Sequence, residues 1–126
     1  MNALVVDDNE SVADSLAFLL DCYGHHAVVA YDGETALALL RTGAFEITFL
    51  DENLPDIRGS SVARSLRDAP ARAGAFLVSM TGDAHSEGDL ARLFDVCLQK
   101  PFSCEVLMQV IEDARCRSNA VTLEAA

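Results

Sequence analysis

Three features of this sequence predict an α/β fold in which five βα units form a doubly wound parallel sheet. Short apolar segments alternate with amphipathic ones along the 126 residues, the pattern of a parallel sheet covered by helices on both faces. Residues 75–80 (AFLVSM) are almost continuously apolar, as expected for a strand buried on both sides. The length suits one domain rather than two and needs no disulfide or metal staple to fold.

The elements follow in order. Ala3–Asp7 is an apolar strand ending in acid. Glu10–Tyr23 carries Val12, Leu16, Leu19 and Leu20 at helical spacing. Gly24 then suits the left-handed position after a helix. His26–Tyr31 is rich in β-branched and aromatic residues and predicts the second strand. Asp32 can cap the next helix, whose inner face is Ala36, Leu37 and Leu40 and which Gly43 closes. Phe45–Asp51 is the third strand. Gly59–Asp68 is a shorter helix with Val62, Ala63 and Leu66 inward, and Pro70 stops it. After the fourth strand, Ala75–Met80, a weak helix is expected over Ala84–Leu93. Val96–Gln99 is a short fifth strand. Ser103 caps a last helix with Leu107, Val110, Ile111 and Ala114 inward. The pattern ends near Arg117, which places a domain over residues 1–117 and a frayed tail over 118–126.

Composition narrows the function classes. Twenty acidic residues against nine basic give a net charge of −11. Such a surface repels nucleic-acid phosphates and anionic membranes, so partners of neither kind are expected. Apolar residues reach 51%, enough for a core, yet no stretch reaches the length of a membrane span. The four cysteines, Cys22, Cys97, Cys104 and Cys116, form no CxxC pair and no zinc spacing. They read as reduced thiols of a cytoplasmic protein, mostly packed as small hydrophobes. Asp7 and Asp8 interrupt the first apolar run, so no signal-peptide pattern is present. No phosphate loop of the GxGxxG or GxxxxGK[ST] type occurs.

The chemistry collects where open parallel sheets bind ligands, beyond the carboxyl ends of the strands. The first strand ends in Asp7-Asp8 and the third in Asp51, with Asn53 two residues on. The fourth ends in Met80-Thr81 and the fifth in Lys100-Pro101. Three carboxylates, a hydroxyl and an ammonium thus converge from four segments. Clustered carboxylates repel unless protonated or neutralised by a cation, and oxygen ligands beside a phosphate are usual surroundings of Mg²⁺. A carboxylate beside a hydroxyl and a lysine can act as a nucleophile toward phosphorus. The metal and the lysine stabilise the phosphoryl oxygens, and the hydroxyl donates a hydrogen bond to one of them.

Asp7-Asp8, DENLPDIRG (Asp51–Gly59), SMTG (Ser79–Gly82) and Lys100-Pro101-Phe102 together resemble the receiver domains of two-component response regulators. The resemblance runs from Leu4 to about Ala114; each piece alone is weak, but all occur in order on the right elements. It implies a flavodoxin-like sheet with strand order 2-1-3-4-5. It also implies that Asp51 is the phosphoacceptor and that the donor is a phosphohistidine on a histidine kinase or histidine phosphotransfer protein. Asp8 and Asp51 would ligate Mg²⁺ directly with the Asn53 backbone carbonyl, and Asp7 through metal-bound water. Thr81 and Lys100 match the phosphate-sensing hydroxyl and the lysine, and the Lys100–Pro101 bond is often cis in such proteins. If the family geometry holds, Asn53 and Asp83 flank the route of hydrolytic water. Output would be contact with a downstream protein, from a monomer or a weak homodimer formed through the last two helices. Thr81-Gly82 resembles receivers attached to hybrid kinases, whereas Met1 leading directly into the first strand suits a free-standing protein.

Two departures stand out. Where receivers carry Tyr or Phe three residues before the lysine, this chain has Cys97. A thiol cannot fill or vacate a ring-sized space, so relay by that aromatic residue is not expected. Nineteen positions separate Thr81 from Lys100, a few short for the family, and Leu93-Phe94 replaces the usual Gly-Ala. With Asp83, Gly88 and Asp89 nearby, the expected helix over 84–93 is short or poorly ordered.

Plainer readings exist for single residues. Asp7-Asp8 alone reads as acids at a helix N-terminus, and Thr81-Gly82 alone as a turn. The adjacent His25 and His26 point to opposite faces of a strand and rarely chelate together, and His85 reads as exposed. Two other functions fit the residues less well. An aspartyl-nucleophile phosphatase favours a second acid two residues after the nucleophile, where Asn53 stands. A degenerate, non-phosphorylated binding module would lack site residues, and here all are present.

Overall fold

Alternation of side chains about the strands sets the architecture. A computed structural model of the protein describes residues 1–42, 45–68, 76–81 and 93–125, the stretch 117–125 by its backbone alone. The strands are β1 (Asn2–Val6), β2 (His26–Ala30), β3 (Ile47–Asp51), β4 (Phe76–Thr81) and β5 (Val96–Gln99). The helices among the described residues are α1 (Glu10–Cys22), α2 (Gly33–Leu40), α3 (Gly59–Asp68) and α4 (Cys104–Ala125). All strand pairs are parallel, in the order β2-β1-β3-β4-β5, as the sequence predicts.

Because successive strand residues face opposite sides, the apolar strands build two cores. On one face Ala3, Val5, Ile47, Phe49, Val78 and Met80 pack with Leu16 and Leu20 of α1 and with Leu107, Val110, Ile111 and Ala114 of α4. On the other, Leu4, Val6, Leu50 and Leu77 pack with Ala36 and Leu40 of α2 and with Val62, Ala63 and Leu66 of α3. β3 is buried at all five positions, as the centre of a five-stranded sheet must be. One polar group pays for that position: Thr48 is fully buried with its hydroxyl unpaired among the described residues.

The predicted caps form. The Asp32 side chain accepts from Thr35 N at 2.6 Å, Ser103 Oγ accepts from Val106 N at 3.2 Å, and Gly24 adopts φ +88°.

Several expectations need correction. Val12 is 38% exposed; Ala13, Leu16, Ala17 and Leu20, at i, i+3, i+4, i+7, form the buried face instead, because the small alanines at i and i+4 let α1 lie close to the sheet. Tyr31 lies beyond β2 and is exposed, held by a hydrogen bond from its hydroxyl to Asp14. Phe45 precedes β3. All four cysteines are exposed rather than packed, since each falls on the solvent side of its element. The last helix continues to Ala125, past the end of the apolar pattern near Arg117, through residues of good helix propensity such as Ala120, Leu123 and Glu124. Gly43, Pro70, Ala75, Gly82, Asp83 and His85 lie outside the described residues, as does all of the expected helix over 84–93 except Leu93. Phe94, where the family usually has a small residue, is buried against the α2–α3 side. Among the described residues, no helix is long and apolar enough to cross a membrane.

Candidate functional site

Strand register brings the polar strand ends together. Val6 pairs with Leu50, so Asp7 and Asp51, each one residue further on, stand side by side at the carboxyl edge. Asp51 pairs with Met80, placing Thr81 one step beyond it, and Thr81 pairs with Gln99, just before Lys100. Lys100 N donates to the Thr81 carbonyl at 2.7 Å, and the Lys100–Pro101 bond is cis.

The side chains form one acidic pocket. Asp7 and Asp51 are buried, at 1% and 5% exposure, whereas Asp8 is open to solvent. Carboxylate oxygens of Asp7, Asp8 and Asp51 lie within 4.8 Å of one another. The Lys100 ammonium sits 2.5 Å from Asp7 Oδ2 and 3.5 Å from Asp51 Oδ2. Asp7 Oδ1 accepts from Asn9 N at 3.0 Å and Asp51 Oδ1 from Asn53 N at 3.2 Å. Asn53 itself is exposed. Burial pushes the Asp51 carboxyl above its ordinary value, and the neighbouring Asp7 adds to this; the Asn53 N–H and Lys100 pull the other way.

One ammonium among three carboxylates leaves an excess of negative charge that a divalent cation would balance. The donors are hard oxygens, one carboxylate faces water, and the set fits Mg²⁺. Asp7, Asp8, Asp51, Asn53, Thr81 and Lys100, the residues the sequence predicts, all come to this edge. Only Asn53 stays at the rim, touching Asp51 through its backbone N–H.

Residues 3–112 match the family described as the response regulator receiver domain. The chain belongs to that family. The receiver is 35% identical to the virulence sensor protein BvgS of Bordetella pertussis over 94% of its own length, but it spans only 10% of that relative. It is 32% identical to the transcriptional regulatory protein DltR of Streptococcus agalactiae over 86% of its length, spanning 49% of DltR. Among solved structures, a CheY-like receiver domain from Methylobacillus flagellatus superposes with a TM-score of 0.83 at 29% identity, covering 90% of this chain and 98% of the other. Response regulator TrrA of Thermotoga maritima, solved in complex with Mg²⁺ and BeF, gives 0.82 at 27% identity, covering 90% and 97%. The receiver is thus a module of two-component signalling.

Two features of the receiver went unread in the sequence. Glu52, beside the pocket acid, accepts from Ser60 N at 3.0 Å and Ser60 Oγ at 2.9 Å. Asp56 accepts from Gly33 N and Glu34 N of α2, each at 2.9 Å. The Pro55-Asp56 dipeptide signals a turn, but nothing local says that its acid reaches a helix begun 23 residues earlier. A mostly apolar groove of about 450 Å³ also runs along α1, lined by Ser11, Val12, Ser15, Leu16 and Leu19 and ending at Lys100, Pro101 and Phe102.

Proposed function

We propose that this receiver accepts a phosphoryl group on Asp51 from a histidine kinase or a histidine phosphotransfer protein, in a Mg²⁺-dependent reaction, and signals by contact with a downstream protein. The observation that carries the proposal is the Lys100 ammonium lying between the buried Asp7 and Asp51 carboxylates, with Asp8 open beside them. An Asp51 carboxylate oxygen attacks phosphorus. The bond from phosphorus to the donor imidazole nitrogen breaks, an acyl phosphate forms, and the released imidazole takes up a proton from solvent. The Lys100 ammonium turns from Asp7 toward the incoming phosphoryl oxygens, and the Thr81 hydroxyl, one residue beyond Met80, donates to one of them. Mg²⁺ held by Asp8 and Asp51, with the Asn53 carbonyl and with Asp7 through water, would neutralise the phosphoryl charge. The chain's part is positioning and charge balance, which suffices for phosphoryl transfer; on this reading it catalyses its own phosphorylation and dephosphorylation only.

The groove along α1 ends at Lys100, so a donor helix seated there would present its imidazole to the pocket. We assign residues 1–117 to the receiver and 118–126 to a C-terminal extension, acting in the cytoplasm as a monomer or weak homodimer. Intact mass after incubation with phosphoramidate, a small donor with a P–N bond, tests the proposal. One adduct that requires Mg²⁺ and disappears in Asp51→Asn is expected. A folded protein that gains no adduct, or an Asp51→Asn variant that gains the same one, contradicts it.

A further inference from the structure

The loop Glu52–Arg58 between β3 and α3 leaves the pocket, carries Asn53, and is exposed at Asn53, Pro55, Asp56 and Arg58. A segment this open holds no fixed course unless something orders it, because fixing backbone costs conformational entropy. Its two ends are joined to each other. Gly59 N donates to the Glu52 carbonyl at 3.1 Å, and the Glu52 carboxylate holds Ser60. Those ties close the loop, Asn53 N donates to Asp51 Oδ1 at 3.2 Å and Leu54 packs on the α2–α3 core, which leaves the exposed Pro55-Asp56 turn to be held from outside the loop.

Asp56 supplies the tie at the middle. Its carboxylate accepts from Gly33 N, Glu34 N and Ile57 N, each at 2.9 Å, and the Ile57 side chain packs over Gly33 so closely that a Cβ there would lie 2.2 Å from Ile57 Cγ1. The helix it reaches already has its own cap, because Asp32 accepts from Thr35 N. An eight-residue helix is therefore capped twice, once from its own segment and once from the loop beside the pocket.

We infer that Asp56 is a positioning residue for the metal site: by tying the β3–α3 loop to the start of α2, it fixes where the Asn53 carbonyl stands beside Asp51. The inference rests on the proposed Mg²⁺ site and extends it to a residue that touches neither metal nor phosphate. Groups that orient metal ligands from behind commonly set affinity. Asp56 does so across two elements.

The test is Mg²⁺ affinity by titration calorimetry on the full chain, alongside the rate of phosphorylation by phosphoramidate. Asp56→Ala is expected to weaken Mg²⁺ binding about tenfold, with the phosphorylation rate at saturating Mg²⁺ unchanged within about twofold. Asp56→Asn keeps one acceptor oxygen for Gly33 and Ile57 and should recover most of the affinity. Asp32→Ala is the control: it removes the cap made by α2's own segment without touching the loop, and should leave Mg²⁺ affinity at the wild-type value. Gly33→Ala pushes on Ile57 from the other side, changes no acid, and should weaken Mg²⁺ as Asp56→Ala does. It keeps the test decisive if Asp56→Ala does not fold. Wild-type affinity in Asp56→Ala and Gly33→Ala, or an equal loss in Asp32→Ala, overturns the positioning role while leaving the phosphoacceptor reading intact. A wild-type chain that binds no Mg²⁺ overturns both.

Discussion

The turn after β1 and the loop after β3 deliver acids to the same pocket in different ways. The first is three residues long and ordered by its own neighbours: Asp7 accepts from Asn9 N, and Asn9 caps α1 through Val12 N at 3.2 Å. The second is seven residues long and needs ties to other elements, to α3 through Glu52 and Gly59 and to α2 through Asp56. A short connection can be fixed by local hydrogen bonds; a longer one relies on tertiary contacts.

The largest expected effect lies at the crowded end of the longer loop. A Cβ at Gly59 would meet the Asp51 carbonyl oxygen at 2.2 Å, and backbone cannot step aside as a side chain can. Gly59→Ala should cost about 3 kcal/mol in urea unfolding and displace Asp51. A loss near zero would mean that α3 does not constrain the pocket.

Next comes the charge shared by both connections. Removing Lys100 leaves the buried Asp7 beside Asp51 with no cationic partner among the described residues. Lys100→Met should destabilise the protein in EDTA by about 2 kcal/mol, less than for a fully buried pair because Lys100 is partly exposed. Saturating Mg²⁺ should restore part of the loss. Equal losses with and without Mg²⁺ would show that the cation does not share the lysine's role.

In the short turn, Asn9→Ala removes one local cap and should cost about 1 kcal/mol, with Mg²⁺ affinity preserved. A large fall in Mg²⁺ affinity would erase the contrast between the two connections.

The smallest effects are in pH. Burial raises the Asp51 carboxyl, so its stabilising protonation is complete below the unfolded pKa and lost as pH rises through the folded one. In EDTA, Asp51→Asn should therefore exceed the wild type in stability at neutral pH, and the gap should close as pH falls through that raised value. Asp56 has the opposite sign: the Gly33 N–H foremost, with those of Glu34 and Ile57, holds its carboxyl below the ordinary range. Its contribution is present above the unfolded value of about 3.9 and is lost as pH falls through the lower folded one. The wild-type advantage over Asp56→Ala should thus persist until below about pH 4. Stability curves of the three proteins against pH check both signs, and closure of the two gaps at the same pH would contradict the different environments.

What could be read in the sequence divides along the same line. Strand and helix placement came from periodicity, and the six pocket residues from their positions at strand ends, because parallel strands in register deliver consecutive ends to one edge. Asp32, Ser103 and Gly24 act within a few residues and were legible as caps and a C-terminal turn. Val12 misled because hydrophobicity says nothing about which helix face the sheet needs; Ala13 and Ala17 fit there by being small. The cysteines misled in the same way. Asp56 and Glu52 were silent because their partners are chosen by tertiary geometry: an acid in a turn looks the same whether it faces water or the start of a helix 23 residues back.

The most direct test of the central assignment is to locate the phosphoryl group itself. Borohydride reduction of the phosphorylated chain converts an aspartyl phosphate to homoserine, which peptide mass spectrometry reads by position. Homoserine at position 51, and nowhere else, is the expected result. Homoserine at Asp7 or Asp8, or adducts on side chains outside the pocket, would contradict the assignment of Asp51 as the nucleophile.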